Sequence, residues 1–330
     1  MSEFKVLVTG ASGFLGRRIV EMLGERGFAV RALVRRTSRI ADLAQFSSEI
    51  AFGDVTDVDS LRKSFEGIDY VVHAAADNSG TENGARKVTI QGTRNILDLC
   101  AAFQVKKLVY ISSCSVYGPA DYEDGQVINE NTLLERLPEL RGIYSWAKLR
   151  AEKVVFEYMN ENKVSAVCLR PGTIYGPGGE NFSPAMGFSR KNRFFVVISR
   201  DKYILPLVYV DNVVEAVIKA MTLEKSTGQV YNVVDPERID KKRFMDAFIR
   251  RLYPEAHVFY LPYNFLSILV TMQEQVFKMT RRKPILSRYR LVSSQQPILI
   301  DSSKITSDLG WVPSVSFDEA VERIIARHSD

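Results

Sequence analysis

The chain is poor in sulfur and imidazole: its 330 residues include three cysteines and three histidines. Cys100, Cys114 and Cys168 form no Cys-x-x-Cys pair and have no histidine cluster near them in sequence. That spacing excludes a disulfide framework and a zinc site, so no metal is expected. The thiols read as reduced, in a cytoplasmic protein. Long apolar runs are also missing, and the most apolar late stretch, around residues 265–270, is far too short to cross a bilayer. Residues 1–3 lead directly into a strand-like run, without the basic and apolar parts of a secretory leader. Charge of one sign is scarce: 44 Lys and Arg against 39 Asp and Glu leave a formal +5. Such an excess suits an acidic small ligand, and with the signs interspersed it gives no ground for a nucleic-acid partner. Repeats, low-complexity tracts and coiled-coil heptads are absent.

What remains is an ordinary globular composition, 46% hydrophobic and 25% charged, on a chain long enough for one large domain and a smaller lobe. Short β-branched runs at 4–8, 30–34, 49–52, 70–72, 108–111 and 166–169 alternate with helically spaced stretches. Ile19, Met22 and Leu23 mark one helix; Ile96, Leu97, Cys100 and Phe103 mark another. This rhythm predicts an α/β Rossmann fold: a doubly wound parallel sheet with helices on both faces. After Pro171 the pattern loosens into Gly- and Pro-rich segments and a polar, aromatic stretch to Arg200. A helix is predicted at 208–221 and a strand at 229–234. Residues 1–170 form the dinucleotide-binding domain, with 205–234 returning to it. Residues 171–204 and 235–330 form a smaller mixed C-terminal substrate lobe.

The first strand runs into Gly10, Ser12, Gly13, Phe14, Leu15 and Gly16 at the mouth of a helix. Glycines three apart allow a tight turn, close approach of a pyrophosphate and close helix–strand packing, while the helix N-terminus offers free N–H groups. No Gly-Lys-Ser/Thr comes after them, which excludes a P-loop. The acid that holds an NAD ribose at the end of the second strand is also missing. Val34 stands there, with Arg35 and Arg36 next in the chain, both suited to gripping a 2′-phosphate. NADP is the expected cofactor, with NAD as the lesser alternative.

Tyr144 and Lys148, four apart in a helical stretch, share a face. A nearby Lys charge and a positively charged nicotinamide favour the phenolate and lower its pKa, so Tyr144 is read as general base for alcohol oxidation and general acid for ketone reduction. Lys148 is also assigned to the nicotinamide ribose. Ser112, Ser113 and Ser115 come just after a strand, at the sheet edge where ligands bind, and a serine there can polarise a carbonyl.

These pieces together resemble the extended short-chain dehydrogenase/reductase family, which includes nucleotide-sugar epimerases and dehydratases. The resemblance covers nearly the whole chain. It rests on the glycine turn, Gly53-Asp54-Val55, His73-Ala74-Ala75-Ala76, the serine stretch to Gly118, and Tyr144 with Lys148. Arg170 to Gly178, Tyr209-Val210-Asp211-Asn212 and Leu309-Gly310-Trp311-Val312-Pro313 complete it. It implies that Ser113 is the catalytic hydroxyl and that Asp54 and Val55 contact the adenine. Ala74 and Ala75 would line the cofactor, and Pro171 and Thr173 would lie by the nicotinamide. Two departures stand out: Thr89 where the family has Asn, and Pro171-Gly172 where sugar-nucleotide members carry Phe-Asn.

The layout is most similar to the 3β-hydroxysteroid-dehydrogenase-like, ketone-reducing branch. That implies an alcohol/ketone oxidoreductase for a bulky small-molecule substrate. The runner-up is a nucleotide-sugar epimerase or dehydratase, and a non-catalytic NADP sensor comes third. The family implies a homodimer through the helices near 85–103 and 144–160. Arg281, Arg282 and Lys283 admit a peripheral membrane contact.

Overall fold

The structure, a computed structural model, describes residues 4–38, 40, 43–46, 49–280 and 286–329. Seven parallel strands form the central sheet: β1 (Lys5–Thr9), β2 (Ala29–Val34), β3 (Glu49–Phe52), β4 (Tyr70–His73), β5 (Lys107–Ile111), β6 (Ala166–Pro171) and β7 (Val230–Val233). Their spatial order is β3-β2-β1-β4-β5-β6-β7, so the winding reverses between β1 and β4. Ligands bind at such a switch point, outside the carboxyl ends of the strands. The runs Val6-Leu7-Val8 and Leu108-Val109-Tyr110-Ile111 are apolar throughout because both faces are covered. Val6 and Val8 pack into one core with Ile19, Leu23 and Val217. Leu7, one residue out of phase, packs into the other with Leu61, Ile96 and Val155.

Helix α1 (Phe14–Glu25) covers the first face. On the second lie α2 (Val58–Phe65), α3 (Gly92–Ala102) and α4 (Ile143–Asn160). The chain then makes a strand at Leu207–Tyr209, parallel to Thr173–Tyr175, before α5 (Val210–Thr222) packs on the α1 side. The helix expected from residue 208 therefore starts two residues later. Tyr209 is its extended N-cap, and Asp211 sits in the first turn, where negative charge suits the helix dipole.

The polar, aromatic stretch to Arg200 holds two further strands. Gly187–Arg190 and Phe194–Ser199 form a hairpin, and the second of them pairs in parallel with His257–Pro262. Lys191 and Asn192 turn the hairpin with φ of 52° and 53°. Hairpin turns of this left-handed kind usually carry glycine, whose absence hid the signal.

The tail returns to the sheet. Ile305, Leu309 and Trp311 join the α1-side core, and Trp311 Nε1 donates to the Asn212 carbonyl at 2.9 Å. Asn212 Oδ1 accepts from the backbone N–H of Ser314 and Val315, while its amide donates to Asp235. The two signatures at 209–212 and 309–313 thus hold each other, tying the tail to α5.

Helix α6 (Tyr263–Met279) lies on a small core made by Ile198, Leu266, Val270 and Leu291. The basic residues 281–283 lie outside the described residues. Among the described residues, no helix is long and apolar enough to cross a membrane.

Candidate active site

A continuous cavity of about 1470 Å³ runs along the C-terminal edge of the sheet. Its wall is built from residues just past the strand ends: Gly10 after β1, Arg35 after β2, Asp54 and Val55 after β3, Ala74 and Ala75 after β4, Ser113 after β5. Pro171 and Thr173 close it at the end of β6, and Tyr144 and Lys148 enter from α4. Single ligands usually occupy about 300–1,000 Å³, so there is room here for a dinucleotide and a second molecule.

Gly10 has φ +69°, and a Cβ there would meet Ala75 N at 2.8 Å. A Cβ on Gly16 would come within 2.1 Å of the Gly10 carbonyl oxygen. Neither position tolerates a side chain. No side chain caps the N-terminus of α1, and no acid stands in its first turn. The leading N–H groups and the positive end of the dipole are left for a ligand, which is the chemistry a pyrophosphate requires. Ser12, Gly13, Phe14 and Leu15 line the same corner. The cradle fits a dinucleotide.

Arg35 lines the cavity at the end of β2, but Arg36 does not; its guanidinium lies 6.0 Å over the Phe52 ring. The chain turns here, Ser38 N donating to the Arg35 carbonyl at 2.9 Å, and of the two arginines expected at the cofactor only Arg35 lines the cavity. The Asp54 carboxylate is occupied by its own turn, accepting from Thr56 N at 2.9 Å and Thr56 Oγ1 at 2.8 Å.

Tyr144 is 47% exposed and lines the cavity with Ser113, whose Oγ accepts from Ser115 N at 3.1 Å. Its surroundings at the head of α4 raise the phenol above its ordinary value by withholding water from the phenolate, while Ser113 opposes that rise. Lys148 is buried, its Nζ donating to the Ile111 carbonyl at 2.8 Å. Burial lowers its ammonium to about 8, against the pull of Cys168 and Glu152. The groups that act on the Tyr144 phenol here are its desolvation, Ser113 and Cys114, and one N–H of Lys148 is held by the end of β5.

Behind this pair the polar groups are closed into chains. Glu152, one turn beyond Lys148 on α4, accepts from Ser112 Oγ at 2.5 Å and from Arg170 at 2.6 and 3.2 Å. Arg170 also donates to Tyr117 Oη at 2.9 Å, and Tyr117 donates to Asn232 at 2.7 Å. His73 is fully buried, with Nδ1 2.7 Å from Thr9 Oγ1 and Nε2 3.0 Å from Thr93 Oγ1. Thr93 gives its proton to the Thr89 carbonyl at 2.6 Å, so His73 donates from Nε2 and accepts at Nδ1. Thr89, in place of the family's Asn, lies in a π-helical stretch, Ala85–Gln91, and its hydroxyl accepts from Asp77 N at 2.9 Å. It fastens the cavity edge after β4.

With this geometry in view, comparison with known proteins is decisive for the family. Residues 6–233 match the profile of the NAD dependent epimerase/dehydratase family. The chain belongs to that family. It is 28% identical to the 3beta-hydroxysteroid-dehydrogenase/decarboxylase isoform 1 of Arabidopsis thaliana, across 97% of this chain and 78% of the relative. It is 25% identical to the 2-alkyl-3-oxoalkanoate reductase of Shewanella oneidensis, across 97% and 85%. The crystal structure of gox2253 superposes with a TM-score of 0.83 at 27% identity, covering 98% of this chain and 97% of that one. Like its family, the protein is an NAD(P)-dependent enzyme of oxidoreductase type.

Within this family member the far end of the cavity was not read from the sequence. It is lined by Arg141, Phe182, Phe188, Tyr203, Arg290 and Ile298, drawn from separate segments with no shared motif. Glu152 was also missed, although its place four residues after Lys148 on the same helix face was a usable signal.

The buried imidazole generates a pH prediction. Burial, assisted by the charge of Lys148, lowers His73 from 6.5 to about 3. Between those values the unfolded chain takes up a proton that the folded protein refuses, so stability is unaffected above pH 6.5 and falls as pH drops toward 3. From pH 6.5 to about 5 the loss is about 2 kcal/mol. Urea unfolding of wild type and His73→Gln at both pH values measures it; an equal acid loss in the two proteins rules out His73 as the source.

Proposed function

We propose that this enzyme interconverts a secondary alcohol and a ketone on a bulky, largely apolar substrate, using NADP(H), with Tyr144 as general acid and base. The observation that carries the reading is the meeting of Ser113, Tyr144 and Lys148 in one cavity with the glycine cradle and Arg35. The cofactor, when bound, supplies or takes up the hydride. Ser113 donates a hydrogen bond to the substrate oxygen and holds it beside the phenol. Tyr144 gives that oxygen a proton in reduction and removes it in oxidation, and Lys148 anchors the nicotinamide ribose. Arg35 pairs with the 2′-phosphate where an acid would repel it. The relatives' names, a hydroxysteroid dehydrogenase/decarboxylase and an oxoalkanoate reductase, are oxidoreductions of this kind and support the reading.

Titration with NADPH and NADH, followed by nucleotide fluorescence, tests the cofactor assignment. NADPH should bind at least tenfold tighter, about 1.4 kcal/mol, and Arg35→Ala should remove the gap. NADH binding as tightly, or NAD that co-purifies and will not exchange, would put a nucleotide-sugar epimerase first. With ketones such as 2-decanone, Tyr144→Phe should keep NADPH affinity and lose about 10²–10⁴ in kcat. A variant that retains full kcat removes Tyr144 from its role.

The membrane contact belongs to the same reading. The inner residues of α6, Leu266 and Val270, pack on Ile198 and Leu291, which line the cavity. Its outer side leaves Phe265, Ile268, Met272 and Val276 more than half exposed. An apolar roof of this sort, on a chain of charge +5, suits an anionic bilayer that supplies a lipophilic substrate. The protein should sediment with phosphatidylglycerol vesicles at low salt, and Ile268→Glu with Met272→Glu should weaken this at least about tenfold. Wild-type protein that stays in the supernatant defeats the proposal.

A further inference from the structure

Shielded arginines in this protein have carboxylate partners. Arg18 pairs with Asp211, Arg31 with Glu49 and Arg170 with Glu152, all at 2.6–2.8 Å. Arg141 breaks the pattern. It ends the short helix Pro138–Arg141 and lines the cavity, and its one side-chain hydrogen bond among the described residues runs from Nη1 to the Ser293 carbonyl at 3.4 Å. Arg290, from Arg288–Gln295, lines the same place. Gly142 lies between them with φ +126°, and a Cβ built there would stand 3.7 Å from the Arg290 guanidinium. The second cation therefore lies over the backbone joining Arg141 to Ile143, two residues from Tyr144. The carboxylates that line the cavity are Asp54, Asp77 and Glu180, and among the described residues none forms an ion pair with either arginine; the buried Glu135 acts on Arg141 from behind the wall without a hydrogen bond to it, its Oε1 taken by Leu137 N and Tyr289 Oη. The Ser293 hydroxyl beside them is buried without a partner.

Two cations lining one corner repel each other, and the part-buried Arg141 is shielded from water without an ion-pair partner, which costs free energy. An arrangement of this kind is stabilised by an anion that arrives from outside, bound through charge-assisted and bidentate hydrogen bonds. The remaining walls at this end include Phe182, Phe188, Ile198, Leu286 and Leu291, which suit an apolar body. We propose that Arg141 and Arg290 clamp a carboxylate, and that the substrate is a hydroxy or oxo acid carrying an apolar chain, its carboxylate held close to Tyr144. The inference rests on the alcohol/ketone reading of the cavity and narrows its substrate class. A single carboxylate matches a two-arginine clamp set among apolar walls.

The test is equilibrium binding to the full-length protein in the presence of NADP+, with decanoate, 1-decanol and UDP as probes. Decanoate has no carbonyl to reduce, so the result does not depend on turnover. It should bind at least about tenfold tighter than 1-decanol, and Arg141→Met and Arg290→Met should each weaken it about tenfold or more while changing 1-decanol little. Arg290 is exposed, so Arg290→Met decides the matter even where Arg141→Met fails to fold. The clamp is overturned by decanoate that does not saturate, that binds no better than 1-decanol, or that ignores Arg290→Met. UDP binding tighter than decanoate, and lost in the arginine variants, assigns the pair to a diphosphate instead and also overturns it. Failure to reduce 3-oxodecanoate or 2-decanone with NADPH, beside intact decanoate binding, would count against the oxidoreductase reading alone.

Discussion

The buried ion pair between Glu152 and Arg170 is the constraint on which the site depends. It joins α4, which carries Tyr144 and Lys148, to β6, which ends at Pro171 on the cavity wall. The same carboxylate takes the Ser112 hydroxyl, fixing the chain next to Ser113. Tyr144, Lys148 and Glu152 are successive i,i+4 positions on one helix face, and the last two are joined to the end of β5: Lys148 to the Ile111 carbonyl, Glu152 to Ser112. A slip of α4 by one residue would break both together and carry Tyr144 out of place. A buried pair of this kind adds little net stability over an apolar packing, but leaving one partner alone costs about 3–5 kcal/mol. Its value here lies in register, since hydride and proton transfer tolerate only errors well below an ångström.

Charge around this pair is rationed in the same spirit. His73, next to Lys148 in the core, is kept neutral by burial and has both ring nitrogens committed to threonines. That neutrality spares Lys148 a like charge. Lys148 is itself lowered to about 8, and Glu152 is the charged neighbour that keeps it from falling further. The phenol of Tyr144, raised as it is, holds its proton until something in the cavity changes the balance. A positive charge brought into the cavity would favour the phenolate and shift that balance.

What was legible in the sequence was local. Strands β1, β4, β5 and β6 announce themselves as apolar runs because both faces of the sheet are covered there, and the glycines at 10 and 16 because backbone geometry admits nothing larger. Tyr144, Lys148 and Ser113 were legible through spacing and resemblance. The rest depends on contacts between distant residues. Arg141 and Arg290 are ordinary in their own neighbourhoods and become a pair only through the fold. The hairpin at 187–199 turns on Lys191 and Asn192, which carry left-handed backbone without the usual glycine. Arg36 looked equivalent to Arg35 until the chain direction separated them. The signatures at 209–212 and 309–313, which in sequence look like site motifs, hold the tail to the core through Asn212 and Trp311.

This division has a physical consequence for how the enzyme is tuned. The cofactor end is set by residues at strand termini, each inseparable from the large cores beneath the sheet, so a change there disturbs the fold. The far end rests on a core of four buried residues, Ile198, Leu266, Val270 and Leu291, under a helix that shows most of its surface to solvent. Few contacts hold that roof, so its side chains can be exchanged at small cost in stability. Cavity shape and charge at the substrate can therefore change while Tyr144, Lys148 and the Glu152–Arg170 anchor stay fixed.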